Sequence, residues 1–342
     1  MKIVISSAGR RAHYVEWFRE ALGRTALSGE VIAMEYRLHS PSTGLADRAV
    51  PSPAYNSPEY PEALREWCRA ERPDLFLSLN DYELQILSGG LAEEMRSMGC
   101  RVAVLGAELQ PIVLDKHRMA TALAERGIPT PRTVLGSEVD RIRSSARSGD
   151  RFVVKHRFGS GSTGLRIVEA EALPDAVEQS AQTALGADGL PAADGPAATV
   201  VQEALPGPEY GVDGVFDVDG RGELLGVLAR RKDLMRGGDT DVATTVAPEP
   251  FHAAIREIGA MLRPSAAIDV DLRDNADGEP QVIDINPRLG GGYPFCHRAG
   301  ADLPAALIRS AVGLEPDPEL LRYRVGVTSA RREEFTVVAA PR

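Results

Sequence analysis

Cysteine is scarce in this chain. The three present, Cys68, Cys100 and Cys296, are far apart and odd in number. They supply neither a disulfide framework nor a thiolate zinc site, which fits a reducing, cytoplasmic setting. Long apolar runs are also missing: no stretch approaches the roughly 20 residues needed to span a bilayer, and the apolar part of the opening MKIVISSA is too short for the core of a signal peptide. Positive charge is in deficit, with 39 Lys and Arg against 49 Asp and Glu, a formal net charge of −10. Such a surface repels nucleic-acid phosphates and anionic lipid, so neither nucleic acid nor membrane is expected as a partner. A local cationic pocket for a nucleotide stays compatible with it.

The first third alternates short apolar runs with amphipathic helices. The pattern predicts strands at 2–6, 30–34, 74–79 and 101–105 and helices at 12–22 and 60–70. This alternation argues for a parallel sheet covered on both faces. Such sheets bind ligands at the carboxyl ends of their strands, where this chain places Gly9, Arg10 and Arg11 and then Asn80, Asp81 and Glu83. A helix over 115–126 stops at Gly127 and Pro129. Strands follow at 151–155 and 165–170, then an Ala/Gly/Pro/Asp-rich surface loop at 184–198, and strands at 199–204, 211–217 and 224–230. A helix at 251–262 precedes a hairpin of 268–273 and 280–286. The character changes from α/β to α+β near residue 110.

Three clusters carry chemistry. Lys155 ends an apolar strand and leads into Gly159, Ser160, Gly161, Ser162, Thr163 and Gly164. Glycine amides can cradle phosphate oxygens and the lysine adds a point charge, although a plain turn of small residues beside a surface lysine gives the same string. The spacing is that of neither a P-loop nor a dinucleotide fingerprint. The second cluster is sharper. Asp271 and Asp284 lie on the two strands of one hairpin, and Asn286, two residues on, shares a face with Asp284. Oxygen-only ligands suit Mg²⁺ completed by phosphates and water. The plain alternative, a solvated strand face, is weakened because Asp284 and Asn286 alternate with Ile283 and Ile285. Arg288, within NPRLGGGYP, follows two residues later and is placed to meet an anion beside the metal. The third cluster, Gln202, Glu203, Leu205 and Glu209, sits on a connector whose backbone can face an adenine edge; taken alone it is only a turn with a glutamate.

In this order, Lys116, Lys155 with its glycine loop, the 202–209 connector and the Asp271…Asp284-x-Asn286-Pro287-Arg288 series resemble the ATP-grasp superfamily, and most of all its carbamoyl-phosphate-synthase-like and D-alanine–D-alanine-ligase-like carboxylate–amine ligases. The resemblance covers residues 1 to about 305. It includes the opening Ser-Ala-Gly-Arg-Arg and the Asp81-x-Glu83 pair. It implies an α/β preATP-grasp domain over residues 1–110 and a two-lobed α+β ATP-grasp domain, with a small lobe and ATP lid at 111–203 and a C-terminal lobe with the metal site at 204–342. By position, it assigns Lys116, Lys155 and the loop Gly159–Gly164 to the nucleotide phosphates. Gln202, Glu203 and Leu205 go to the adenine and Glu209 to the ribose. Asp271, Asp284 and Asn286 would hold two Mg²⁺ ions, with Mn²⁺ as a substitute, and Arg288 with Lys155 and Arg231 would steady the transferred phosphoryl group. Two departures stand out. Asp284 replaces a glutamate, and Gln202-Glu203 stands where Glu-Lys is common, which leaves the identity of the nucleotide open.

The implied chemistry is ADP-forming: a carboxylic acid becomes an acyl phosphate and an amine converts it to an amide. Arg10, Asn80, Asp81 and Glu83 are the expected substrate residues, and their acidity favours a substrate bearing an ammonium group, such as an amino acid. No Ser/His/Asp or Cys/His set competes, and His156 and His297 read as lining residues rather than bases. Phosphoryl transfer without ligation and a non-catalytic nucleotide-binding regulator are the alternatives. The expected partners are a small carboxylate, a small amine and, by family habit, a second copy of the chain.

Overall fold

The computed structural model describes residues 1–159 and 164–339. Three sheets organise them. The first is wholly parallel, in the order β3-β2-β1-β4-β5, from β1 (Lys2–Ser6), β2 (Glu30–Glu35), β3 (Arg48–Pro51), β4 (Leu75–Ser78) and β5 (Arg101–Ala103). Its middle strands are apolar on both faces, as a sheet covered by helices on either side requires. The helix His13–Gly23 covers one face through Tyr14, Val15, Phe18 and Leu22, while Tyr60, Leu64 and Cys68 of the helix Tyr60–Glu71 cover the other.

A four-stranded antiparallel sheet follows, ordered β6-β9-β7-β8, from β6 (Thr133–Leu135), β7 (Arg151–His156), β8 (Arg166–Glu169) and β9 (Thr199–Glu203). The helix Leu173–Ala181 closes one face of it, packing Leu173, Ala176 and Val177 over Val134, Phe152, Val154 and Val201.

The third sheet has six strands in the order β14-β13-β10-β11-β12-β15: β10 (Glu209–Phe216), β11 (Leu224–Arg236), β12 (Asp239–Thr245), β13 (Ala267–Asp274), β14 (Pro280–Asn286) and β15 (Thr328–Ala330). The sequence reading ended β11 at Arg230 and did not anticipate β12. The strand in fact continues through the polar KDLMR segment and turns at Gly237-Gly238, both with positive φ. An outer hairpin of this kind has little core to bury, so it lacks the apolar alternation that marks the inner strands. Strands β3, β6 and β15 escaped notice for the same reason: each is three or four residues long and at an edge.

Two packing relations set the cleft. The helix Leu303–Ala311 packs on the helix His13–Gly23, so the parallel-sheet domain and the end of the chain share one core with Val215 and Leu228. Aromatic contacts continue it, with Trp17 stacked on His297 at 3.8 Å and Tyr14 on Tyr293 at 5.8 Å. The helix Lys116–Glu125 buries Met119 and Leu123 with Val282 and Ile285 of the six-stranded sheet, and Val282 N–H donates to the Pro129 carbonyl at 2.8 Å. No helix among the described residues is long and apolar enough to cross a membrane.

Candidate active site

Strand alternation gives the six-stranded sheet two unlike faces. In the register Gly211↔Asp271, Asp213↔Asp269 and Gly211↔Arg230 of β10 with its neighbours, Val212, Ala229, Val270 and Ile285 point one way and pack under Ile255, Ile258 and Leu262. The opposite face carries Glu209, Asp213, Asp269, Asp271, Asp284 and Asn286 from three adjacent strands, with Arg230 and Lys232 of the fourth. Asp271 is directly opposite Asp284, and Asp269 opposite Asn286. The sequence-predicted metal trio therefore comes together on one face.

Cations from a helix and two sheets gather around these carboxylates. Lys116 Nζ is 3.2 Å from Asp284 Oδ1 and donates to the Gly159 carbonyl at 2.8 Å. Lys155 Nζ donates to the Ile283 carbonyl at 3.1 Å, so the four-stranded sheet reaches across to β14. Lys232 Nζ holds Asp271 Oδ1 at 2.7 Å and Glu209 Oε1 at 2.8 Å. Burial alone would raise the Asp284 carboxyl, but Lys116 and Lys155 hold it below its ordinary value. Asp271 goes the other way: burial, with Asp269 and Glu209 close by, pushes it up to about 6 despite Lys232. Burial also draws the Lys155 ammonium down to about 8, against the pull of Asp284. A carboxylate this reluctant to ionise, opposite a second one, gains from a divalent cation. The oxygen-only set of Asp271, Asp284 and Asn286 fits Mg²⁺.

Deeper on this face, Arg230 is 1% exposed and is held between Asp213 and Asp269, the latter at 2.8 Å. A Cβ at Gly211 or Gly292 would collide with its guanidinium, so two glycines are needed to seat one arginine. Arg230, Asp213 and Asp269 were not singled out from the sequence. The signal was available, since Asp269 lies two residues before Asp271 and shares its face.

Arg288 extends from the end of β14 to the parallel-sheet domain. It makes a bidentate pair with Asp81, Nε–Oδ1 2.8 Å and Nη2–Oδ2 3.0 Å, and donates to Asn286 Oδ1 at 3.2 Å. Asp81 and Arg288 thus belong together across the junction. Four expected site residues are placed otherwise. Arg10 is exposed, and it is Arg11 that turns inward, donating to the Leu79 carbonyl at 2.9 Å. Asn80 caps the short helix Asp81–Ile86, accepting from the Tyr82 and Glu83 amides. Glu83 is 1% exposed and accepts from the hydroxyls of Ser6 (2.6 Å), Ser78 (2.5 Å) and Tyr60, so it braces the strand ends rather than facing a ligand. Arg231 points away from Arg230 and Lys232, as period-two alternation requires, and pairs on the surface with Asp233.

Among the connector residues, Gln202 is buried with its amide donating to Thr133 Oγ1 at 2.8 Å, Glu203 is exposed and Leu205 half-buried. Glu209 binds Lys232 and, at 3.4 Å, Arg273. Gly164 packs on His156, whose ring meets the Ser180 carbonyl at 3.1 Å. Ser160, Gly161, Ser162 and Thr163 lie outside the described residues.

Comparison with known proteins agrees with this layout. Residues 3–103 match the family model described as PylC-like, N-terminal domain, and residues 196–332 match ATP-grasp in the biosynthetic pathway with Ter operon. No curated protein matches the sequence. Among solved structures, the biotin carboxylase domain of Hydrogenobacter thermophilus 2-oxoglutarate carboxylase, in complex with MgADP, ADP and bicarbonate, superposes with a TM-score of 0.72 at 17% identity, over 94% of this chain and 72% of that one. Biotin carboxylase of Campylobacter jejuni gives 0.70 at 14% (94% and 73%), and N5-carboxyaminoimidazole ribonucleotide synthetase of Thermotoga maritima 0.65 at 17% (94% and 78%). At such identities the likeness is one of fold, a parallel-sheet domain followed by antiparallel sheets. The chain thus joins a PylC-like N-terminal segment at residues 3–103 to a segment at 196–332 that matches an ATP-grasp family model, within one fold shared along nearly its whole length.

Proposed function

We propose that the protein is an ATP-dependent ligase that activates a small carboxylic acid as an acyl phosphate and joins it to an amine, amino acids being the favoured substrates. The observation that carries this reading is the facing pair Asp271–Asp284, flanked by Asn286 and met by Lys116, Lys155 and Lys232 from three separate elements. Three ammonium groups around two carboxylates, between two sheets joined by the connector 204–208, match a polyphosphate with its cation. The nucleotide complexes of proteins with this fold, such as the MgADP-bound domain named above, support the same placement.

In this reading Lys116 and Lys155 bind the phosphates, the loop 159–164 covers them, Gln202, Glu203 and Leu205 border the base and Glu209 takes the ribose. Asp271, Asp284 and Asn286 would hold two Mg²⁺ ions, or Mn²⁺, which when bound supply charge neutralisation on the phosphates. A substrate carboxylate oxygen attacks the γ-phosphorus, and the bond to the bridging oxygen breaks with its electron pair leaving on ADP. The amine nitrogen then attacks the acyl carbon, phosphate departs with the C–O electron pair, and the amine proton passes to solvent. Arg288, with Lys155, neutralises the charge on the migrating group, so catalysis is positioning and electrostatics rather than side-chain nucleophilicity. The dimeric state of the carboxylase domain in the same fold supports a homodimer here as well, and the unpaired, buried cysteines favour a cytoplasmic location.

The test is ADP release with MgATP against pools of amino acids, repeated with hydroxylamine. Turnover with hydroxamate formation is expected. A phosphate ester in place of the hydroxamate, or ATP binding with no turnover on any pool, would refute ligation.

A further inference from the structure

In the parallel sheet, β1 lies between β2 and β4: the chain steps outward through β2 to β3, then crosses back to place β4 on the other side of β1. The strand order reverses between β1 and β4, and in open α/β sheets the crevice beyond the carboxyl ends of such a pair is where ligands bind. The two loops that border it are residues 7–12, after β1, and 79–81, after β4. Three charged side chains occupy this crevice: Arg11, Asp81 and, from the six-stranded sheet, Arg288. The single carboxylate is fully engaged, with both Asp81 oxygens on the Arg288 fork. Of the other acids at this end, Glu83 is enclosed by three hydroxyls, and Glu35, at the end of β2, accepts from the Gly9 amide and the Ser42 hydroxyl. That leaves Arg11, whose only side-chain bond is to the Leu79 carbonyl, as a partly buried guanidinium that pairs with no carboxylate among the described residues. Burial and the neighbouring Arg288 make this an unfavourable place for a cation, which Tyr14, Asp81 and Asp269 offset only in part. An unpaired guanidinium near a second one, at the switch point of a sheet, suits an anion.

We infer that Arg11 binds a carboxylate that is not the one being activated: a substrate of this ligase, resting on the ligase reading above, carries a free carboxylate that is recognised from the β1 loop. The acid to be phosphorylated belongs beside Asp284 and Asn286, on the far side of Arg288, so the group at Arg11 is a second one. It is either the α-carboxylate of an amino acid serving as amine or the distal carboxylate of a dicarboxylic acid. The crevice therefore selects for negative charge, whereas the acidic residues read from the sequence alone favoured an ammonium.

The experiment compares wild type, Arg11→Gln and Arg11→Lys for ADP release on an amino-acid pool, with the components replaced one at a time by their carboxamides. Each protein, loaded with MgADP, is also titrated with the same compounds. Loss of an activated carboxylate stops turnover in every variant. Loss of the carboxylate held by Arg11 should lower kcat/KM in wild type by roughly 10²-fold, leave Arg11→Gln indifferent between acid and amide, and leave Arg11→Lys in between, with the KM for ATP unchanged throughout. Equal use of acid and amide by wild type, or an Arg11→Gln defect that is the same for both or appears in the KM for ATP, would overturn the inference. If no pool releases ADP, the ligase reading fails, and the titrations still decide whether Arg11 prefers carboxylate to carboxamide.

Discussion

The two faces of the six-stranded sheet are made by the same strands yet use opposite physics. Beneath the helix His252–Leu262, Val212, Ala229, Ile268, Val270 and Ile285 exclude water and need no partner. On the other side, displaced by one residue along each strand, Asp213, Asp269, Asp271 and Asp284 are enclosed without being neutralised, and Arg230, Lys232, Lys116 and Lys155 come to them. The apolar face is held by area removed from water and tolerates approximate fit. The charged face is held by pairing, where losing one member strands its partner. One face therefore stabilises the lobe and the other spends stability on a site.

The largest expected effect follows from that asymmetry. Arg230→Met leaves Asp213 and Asp269 facing each other with no cation in a site where the arginine was 1% exposed. Removal of one member of such a pair costs about 3–5 kcal/mol, read as a fall in the urea midpoint. Replacing Asp213 and Asp269 by asparagine in the same variant should recover much of it. If Arg230→Met alone is neutral, the charges on this face are not coupled as described. Asp284→Asn should act on the other quantity. It removes charge from the metal side and should lower kcat by about 10²–10³-fold, as loss of one electrostatic stabiliser does, while the fold survives, since Lys116 keeps its bond to the Gly159 carbonyl. On the opposite face, Ile258→Val should cost about 0.5–1.5 kcal/mol and leave kcat untouched. A kcat change for Ile258→Val, or a collapse of the fold for Asp284→Asn, would erase the distinction between the faces.

How much of this could be read without coordinates also divides along the same line. The hairpin with Asp271, Asp284 and Asn286 was legible because charges alternating with isoleucine and valine inside a strand have few explanations. The strands of the parallel sheet were legible because runs such as KIVIS and LFLS have no polar face. Asp269 and Arg230 were passed over because each looks like one more charge near a strand. Their importance lies in cross-strand register, which brings together residues 39 apart in sequence. Arg10, Asn80 and Glu83, read from the sequence as substrate residues, are found on the surface, at a helix cap and in a buried brace, placements that the sequence did not reveal for a related reason. Loop residues have no period to fix their direction, and a cap, a buried brace and a ligand contact all favour the same polar types. Arg231 was avoidable: Lys232 faces Glu209, so the residue before it must face away.

The smallest effect extends the comparison to a third kind of buried surface, the aromatic junction between the parallel-sheet domain and the C-terminal helices. There titratable groups are enclosed without the pairing seen on the sheet. Burial draws His13 and His297 down to about 4, with Arg11 adding to the effect at His13, while at His297 Asp302 opposes it without prevailing. His13 Nε2 has no hydrogen-bond partner, and the His297 ring is stacked on Trp17. Both imidazoles are therefore neutral in the folded protein at pH 5, where the unfolded chain, with an ordinary histidine value near 6.5, has taken up protons. The unfolded state binds more protons between about pH 6.5 and 4, so the stability these groups contribute is complete above that window and is lost as pH falls through it. Their partial exposure to solvent keeps the effect modest. Urea midpoints measured from pH 7 to pH 5 should decline, and His297→Phe, which preserves the stack on Trp17 but cannot take up a proton, should flatten part of the decline. Were the slope identical in that variant, the acid sensitivity would have to come from groups other than His297, with His13 the next to replace, and the stacked ring at the junction would carry none of it.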